Sequence, residues 1–246
     1  MTLWQSPTAP GISWYQSTVG ERTTYPRLDG SRFVDVAIVG GGFTGLQAAF
    51  NLAKQGVSVA LLEAHRLGDG ASGRNGGQLG TGQRAWPEEM EKQIGFERSK
   101  ALFNMAEEAK RYLLDFAAEH DIDMEYMPGQ MNVAHKRGHE REYRANAEIA
   151  ADRYGYPHLS FMDRAETAER LGSNHYYCGV RDTGTGHIQP LKLLLGLAQA
   201  AQAAGCELYE MTKVTGLHRS GGRVELATAQ GTVCAERVLL ATNAHI

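Results

Sequence analysis

Residues 33–63 read FVDVAIVGGGFTGLQAAFNLAKQGVSVALLE, and the order of their parts decides the fold. Phe33 to Val39 is a short β-branched, apolar run, the pattern of a strand buried on both faces. It leads into Gly40-Gly41-Gly42-Phe43-Thr44-Gly45, which satisfies G-x-G-x-x-G. Leu46 to Gly56 has helical spacing, with Leu46, Ala49, Phe50 and Ala53 on one face and Gly56 as its stop. A second apolar run, Val57 to Leu62, ends on Glu63, eighteen residues beyond Gly45. Gly40 permits a tight turn out of the strand, Gly42 lets backbone approach a pyrophosphate, and Gly45 lets the helix pack against the strand. The unpaired N–H groups and positive dipole end of that helix face the phosphates, and Phe43 and Thr44 of the motif join the glycines as cofactor-binding candidates. Glu63 is placed to accept hydrogen bonds from a ribose hydroxyl, and its charge repels a 2′-phosphate. A glycine-rich turn alone is a weak signal. Strand, glycines, helix, strand and acid in this order predict a dinucleotide site.

The next segment, Gly68 to Gln78, has five glycines in eleven residues. Read alone it is a flexible surface loop, but its place directly after the ribose acid puts bare backbone over a ligand. DVAIVGGGFTGL (35–46), LLEA (61–64) and GASGRNGGQ (70–78) together resemble the FAD-dependent amine oxidoreductases of the D-amino-acid oxidase-like family. Within it, the likeness is to the branch containing gamma-glutamylputrescine oxidoreductase. The resemblance implies an α/β fold: a Rossmann-like FAD-binding domain with an inserted α+β substrate domain. It implies FAD as cofactor, with Ala64 beside the ribose acid and the loop Ser72, Arg74, Asn75, Gly76, Gly77 and Gln78 along the pyrophosphate and flavin. Arg74 and Asn75 become candidates for contacts near the flavin ring.

Composition narrows the partners. With 42% apolar and 22% charged residues, the 246-residue chain is ordinary for a globular protein. A net charge of −3 without a basic block argues against nucleic acid or an anionic membrane as partner. No apolar run approaches the roughly 20 residues that span a bilayer. The first 30 residues lack a basic stretch followed by an apolar core, so no secretory signal is expected. Cys178, Cys206 and Cys234 show no C-x-x-C spacing and read as buried thiols in a reducing cytoplasm.

The domain expectation is an N-terminal arm over 1–30, a first FAD-binding part over 31–90, a helical and substrate portion over 91–185, and a second FAD-binding part over 186–246. Trp4, Trp14 and Tyr15, among Pro7, Pro10 and Gly11, suggest an arm pinned by aromatics, with a disordered tail over 1–12 equally open. Trp86-Pro87 ends the glycine loop. Glu97 to His120 reads as a helix whose stripe of Leu102, Met105, Ala109, Tyr112, Leu113 and Phe116 belongs in a core. Met131 to Ala134 reads as a strand, and His139 to Tyr154 as a polar helix. His135 and His139 lie four apart without a third ligand, so no metal is expected. Asp163 reads as N-cap of a helix ending at Leu171, with Glu166 completing a variant capping box. Tyr176 to Val180 reads as a strand, Gly184 to Pro190 as a turn, and Leu191 to Ala204 as a helix closed by Gly205. Cys206–Tyr209 and Lys213–His218 read as strands. Arg223–Thr228 and Thr232–Ala235 form a hairpin, and Arg237–Thr242 is a separate last buried strand.

GHIQPLKLLLGLA (186–198) also resembles the family, where it leads from the substrate domain back to the FAD domain. That places His187 and Gln189 near the substrate side of the flavin. Turn and packing roles account for both equally, and no catalytic residue is assigned. The resemblance further puts the Val214 backbone against the adenine and Ala241-Thr242 at a second flavin-adjacent turn. Family members run on well past the position of Ile246, so the chain is expected to be an N-terminal fragment, poorly soluble and inactive alone. The activity implied is oxidation of a C–N bond in an amine or amino-acid-like substrate, with hydride transfer to flavin and oxygen or another acceptor downstream. An oxidase, a dehydrogenase of the same fold, and an incomplete chain inactive alone all stay open.

Overall fold

The computed structural model describes residues 13–244. Trp4, Pro7, Pro10 and Gly11 of the expected arm lie outside them. In chain order come α1 (Trp14–Thr18), β1 (Gly30–Val39), α2 (Phe43–Lys54), β2 (Val59–Leu62) and β3 (Gln78–Leu79). Then follow α3 (Pro87–Ile94), α4 (Phe96–Glu119), β4 (Met127–Ala134), α5 (Glu140–Asp152), β5 (Leu159–Met162), α6 (Arg164–Leu171) and β6 (Cys178–His187). The last are α7 (Pro190–Ala203), β7 (Glu207–Tyr209), β8 (Gly216–Ser220), β9 (Arg223–Ala227) and β10 (Gly231–Leu240). Two compact units result: 13–76, 117–125 and 189–244 of the described residues form the first, and 77–116 with 126–188 the second.

The first unit is α/β and Rossmann-like. Its sheet runs β7, β2, β1, β10, β9, β8, with β1 parallel to both β2 and β10. The chain leaves β1 through α2 toward β2, while β10 lies on the other side, so the strand order reverses at β1. In open α/β sheets, ligands sit outside the carboxyl ends of the strands at such a point. The core beneath includes Leu28, Ala37, Leu62, Tyr209, Leu226 and Val233, with Val39, Val214 and Val238 packed against it.

Two strand expectations here need correction. β1 is not buried on both faces along its length: Phe33 is 72% exposed and Asp35 is exposed, while Ala37 and Ile38 are fully buried. Burial is deepest where the start of α2 lies over Ile38; a Cβ at Gly45 would stand 3.3 Å from Ile38 Cγ2. β10 is one strand, not a hairpin arm plus a later strand, because its pairing with β1 continues from Gly231 to Leu240. Nor is its C-terminal part buried as expected: Arg237 and Leu240 are exposed. Lys213 to Thr215 lie outside β8, which starts at Gly216.

The second unit is α+β. β6 is its central strand, antiparallel to β3, β4 and β5. β6 continues through Gly184-Thr185-Gly186-His187, which the sequence suggested was a turn. Those glycines admit close neighbours instead: a Cβ would lie 2.3 Å from Tyr156 Oη at Gly184 and 2.4 Å from Met127 O at Gly186. Asp163 caps α6 by accepting the Glu166 N–H at 2.9 Å. The Glu166 side chain pairs with Arg170. α3 begins on Pro87, which suits a first helical position, and was not foreseen.

The stripe expected in the core of α4 is displaced. Met105 and Tyr112 are 61% and 49% exposed, and the helix buries Ser99, Phe103, Lys110 and Phe116. Lys110 hides this face from a hydrophobic pattern. Its ammonium group pairs with Glu107 at 2.7 Å and donates to Thr81 Oγ1 at 3.0 Å. Thr81 Oγ1 is 2.6 Å from Tyr156 Oη, which donates to Asp182 Oδ1 at 2.6 Å. Since Tyr156 has one proton and gives it to Asp182, Thr81 must donate to Tyr156. The chain of bonds therefore runs in one direction, from cation to carboxylate. Burial and the Asp182 bond push the Tyr156 phenol well above its ordinary pKa, so it stays a donor. Tyr156→Phe leaves Asp182 Oδ1 with the Gly184 N–H and should destabilise the protein by about 1–3 kcal/mol. Chemical denaturation is the check; a midpoint equal to wild type would show that the network adds nothing.

Candidate cofactor site

The register of the first unit aligns three strand ends. Val39 pairs with Leu62 on one side and Leu240 on the other, so Gly40, Glu63 and Ala241 are the next positions in three neighbouring parallel strands. Gly40 N–H donates to Leu62 O at 2.9 Å, and Ala241 N–H donates to Val39 O at 2.8 Å. Gly40 has φ +110, and a Cβ there would stand 2.5 Å from Ala241 O. At Gly45 a Cβ would lie 2.0 Å from Gly40 O, so this glycine closes the turn as well as admitting the helix.

Gly42 is the N-cap of α2 and offers no side chain for it. Ser72 takes that part: its Oγ accepts the Phe43 N–H at 3.2 Å and would be 2.9 Å from a Cβ at Gly42. The hydroxyl proton of Ser72 remains available to donate beside the helix N-terminus. Thr44 is exposed in the same first turn. Glu63 Oε2 accepts the Gly41 N–H at 2.7 Å, and Oε1 accepts the His65 N–H at 2.9 Å. Glu63 thus anchors the glycine turn with one oxygen and its own loop, across Ala64, with the other. The segment leading to Val214 runs alongside: Thr212 N–H donates to Glu63 O at 2.8 Å, and Met211 N–H to His65 O at 2.9 Å.

Other expected site residues sit differently. Arg74 Nε donates to Asp69 O at 2.8 Å, and Asn75 Nδ2 donates to Ser72 O at 2.9 Å, so both help shape their own loop. Gly76 is exposed with open space at its Cβ position. Gly77 and Gln78 fall in the second unit, where Gly77 O accepts the Ile188 N–H and Gln78 pairs with His187. Gln189 is buried and caps α7 through the Lys192 N–H at 2.9 Å, a structural role. The expected pinning of the arm by Trp14 fails, since that ring is 77% exposed. Polar bonds hold the arm instead: Gln16 Nε2 donates to Asp69 Oδ1 at 3.0 Å, and Gln189 Nε2 donates to Tyr15 O at 3.2 Å.

Two glycines that the motif left unassigned are crowded. A Cβ at Gly41 would lie 2.2 Å from Leu67 Cδ2, the movable end of a side chain, whereas one at Gly73 would lie 2.2 Å from Gly68 O, a backbone atom that cannot turn aside. The run of three glycines at 40–42 was the available signal for the first; nothing local marked the second. Among the described residues, no three His, Cys, Asp or Glu side chains gather as a metal site, and no helix is long and apolar enough to cross a membrane.

A family model described as FAD dependent oxidoreductase (DAO) matches residues 35–246. The chain belongs to this family. It is 58% identical over 243 residues to a Rhizobium meliloti (strain 1021) protein named probable oxidoreductase OrdL, covering 99% of this chain and 57% of that protein. Gamma-glutamylputrescine oxidoreductase of Escherichia coli (strain K12) is 34% identical over 237 residues, 95% of this chain and 54% of its own length. The crystal structure of glycine oxidase from Geobacillus kaustophilus matches with a TM-score of 0.69 at 26% identity, over 85% of this chain and 55% of that one. The chain spans about half the length of the curated relatives it matches.

FAD is the cofactor of the DAO family, and the strand ends of this member fit it. Thr242 Oγ1, directly after Ala241, is buried with no hydrogen-bond partner among the described residues. An unpaired buried hydroxyl is costly and rare in a finished site. Gly40 beside it leaves backbone bare, and Ser72 and the start of α2 offer donors suited to phosphate.

Proposed function

We propose that this chain binds FAD at the ends of β1, β2 and β10 and serves an enzyme that oxidises the C–N bond of an amine or amino-acid-like substrate. The observation that carries the reading is the row of Gly40, Glu63 and Ala241 with the unpartnered Thr242 hydroxyl beside it. Bound there, FAD would supply the acceptor for a hydride leaving the carbon next to the amine nitrogen. The protein's part is binding and orientation. Glu63 has lone pairs left to accept ribose hydroxyls, Ser72 and the first turn of α2 hold the pyrophosphate, and the Val214 segment lies against the adenine. Thr242 would offer its hydroxyl to the bound cofactor. Gamma-glutamylputrescine is the first substrate to try, on the 34% identity to its oxidoreductase. We assign the protein to the cytoplasm on its free thiols, of which buried Cys206 is pushed up to about 12.

The experiment strips the purified protein of nucleotide and offers FAD or NAD, then follows absorbance through gel filtration. Retained flavin that gamma-glutamylputrescine or glycine bleaches without air supports the reading. Tight NAD binding with no retained flavin would sink it. The rate at which air restores the colour separates an oxidase from a dehydrogenase. Thr242→Val adds a sharper check. It should leave the apoprotein at least as stable as wild type, because an unpaired buried hydroxyl is removed. FAD affinity should fall about two- to tenfold, the worth of one neutral hydrogen bond. Equal FAD affinity in both proteins would show that this hydroxyl does not face the cofactor.

A further inference from the structure

Arg22 and Glu210 form a buried ion pair in the first unit that none of the proposed cofactor contacts uses. Glu210 is 3% exposed and the Arg22 side chain 8%. Glu210 Oε1 accepts the Leu67 N–H at 2.7 Å, and Oε2 accepts the Tyr25 N–H at 3.2 Å. Arg22 Nη2 lies 3.4 Å from Glu210 Oε1 and donates to Leu67 O at 2.5 Å. The backbone extends the tie: Glu210 N–H donates to Pro26 O at 3.1 Å, and Leu28 N–H donates to Thr212 Oγ1 at 3.1 Å.

As a stabiliser this arrangement is poor. Burying two charges consumes most of their attraction, and apolar residues of similar size commonly do as well. Among the described residues, Arg22 Nε and Nη1 are also buried without partners, which adds to the cost. What the pair does supply is direction, and its position gives that direction a use. Leu67 lies four residues after Glu63, and Glu210 lies four residues before Val214. Between them Met211 holds φ +51, a conformation unfavourable for its side chain, with its N–H fixed on His65 O.

We propose that Arg22 and Glu210 are positioning residues for the adenosine end of FAD. They hold the Glu63–Leu67 segment against the Glu210–Val214 segment, so the ribose acid and the adenine-facing backbone stand in register before the nucleotide arrives. The N-terminal arm, through Arg22 and Tyr25, is thereby part of the cofactor site without touching the cofactor. This rests on the FAD reading above.

The test titrates nucleotide-free protein with FAD and, separately, with ADP, which shares only the adenosine and pyrophosphate. Arg22→Met and Glu210→Gln are compared with wild type and with Tyr156→Phe, which weakens the fold in the other unit. If loss of the pair leaves the segments correctly arranged in about a tenth of the molecules, apparent affinity falls about tenfold. The expected result is that fall for FAD and ADP alike in both variants, with Tyr156→Phe binding both as wild type does. Wild-type ADP affinity in a folded Arg22→Met or Glu210→Gln protein would overturn the proposal. So would an equal loss in Tyr156→Phe, because the effect would then be general weakening. Should Glu210→Gln fail to fold, Arg22→Met decides, since it keeps the carboxylate and both of its N–H donors. A wild-type protein that binds ADP but not FAD would remove the FAD reading while leaving the ADP comparison to judge the pair.

Discussion

Gly40→Ala is expected to abolish flavin retention and to lower stability severely. The position has φ +110, where an L side chain is strained, at about 1–3 kcal/mol. The added methyl would also stand 2.5 Å from Ala241 O, a backbone atom with no rotamer to escape through. Forcing such overlap typically adds about 1–3 kcal/mol. Relief requires moving the end of β1 away from the end of β10, which separates Gly40 from Ala241 and Thr242. Gly56→Ala is the matched control, because Gly56 has φ +81 and no atom within 4 Å of its Cβ position. It carries the conformational strain without the collision. Thermal midpoints and flavin content after gel filtration should show Gly56→Ala destabilised by the strain alone but yellow, and Gly40→Ala colourless and less stable still. A Gly40→Ala protein that keeps its flavin would mean that the two strand ends do not share the site.

Substitution of Glu63 should have the second largest effect, and the structure changes its expected pattern. From sequence, Glu63→Ala loses a charged acceptor for the ribose, worth about 1.5–3 kcal/mol or roughly ten- to a hundredfold in FAD affinity. On the same basis Glu63→Gln should lose less, since one acceptor oxygen remains. In the folded protein, however, the two carboxylate oxygens accept two different N–H groups, from Gly41 and His65. A glutamine must turn its NH2 toward one of them, so either the glycine turn or the following loop loses its anchor. Glu63→Gln should therefore weaken FAD nearly as much as Glu63→Ala. Fluorescence titration of the apoproteins decides. Glutamine within threefold of wild type would show that these backbone anchors are dispensable. Undiminished affinity in Glu63→Ala would show that the acid does not reach the ribose.

The β1–α2–β2 segment, its glycine turn and the acid after it are legible in the amino-acid sequence. Each of those signals is local: a β-branched run, bare backbone where a turn must be tight, and helical spacing stopped by Gly56. The Asp163 cap was legible for the same reason, because its bond spans three residues. Features that depend on distant partners emerge only in the folded chain. β10 is a single strand because β1, about two hundred residues earlier, pairs with it throughout. β6 runs through its glycines because Tyr156 and Met127 press against them. The buried face of α4 was misread because Lys110 lies on it, and a lysine is buried only where Glu107 and Thr81 are there to receive it. Arg22 and Glu210, 188 residues apart, carry no local signal of pairing, and only the fold encloses them together. Periodicity reports which way a side chain faces within its own element. Whether a charge is buried, or a glycine crowded, is settled by residues that only the folded chain brings near.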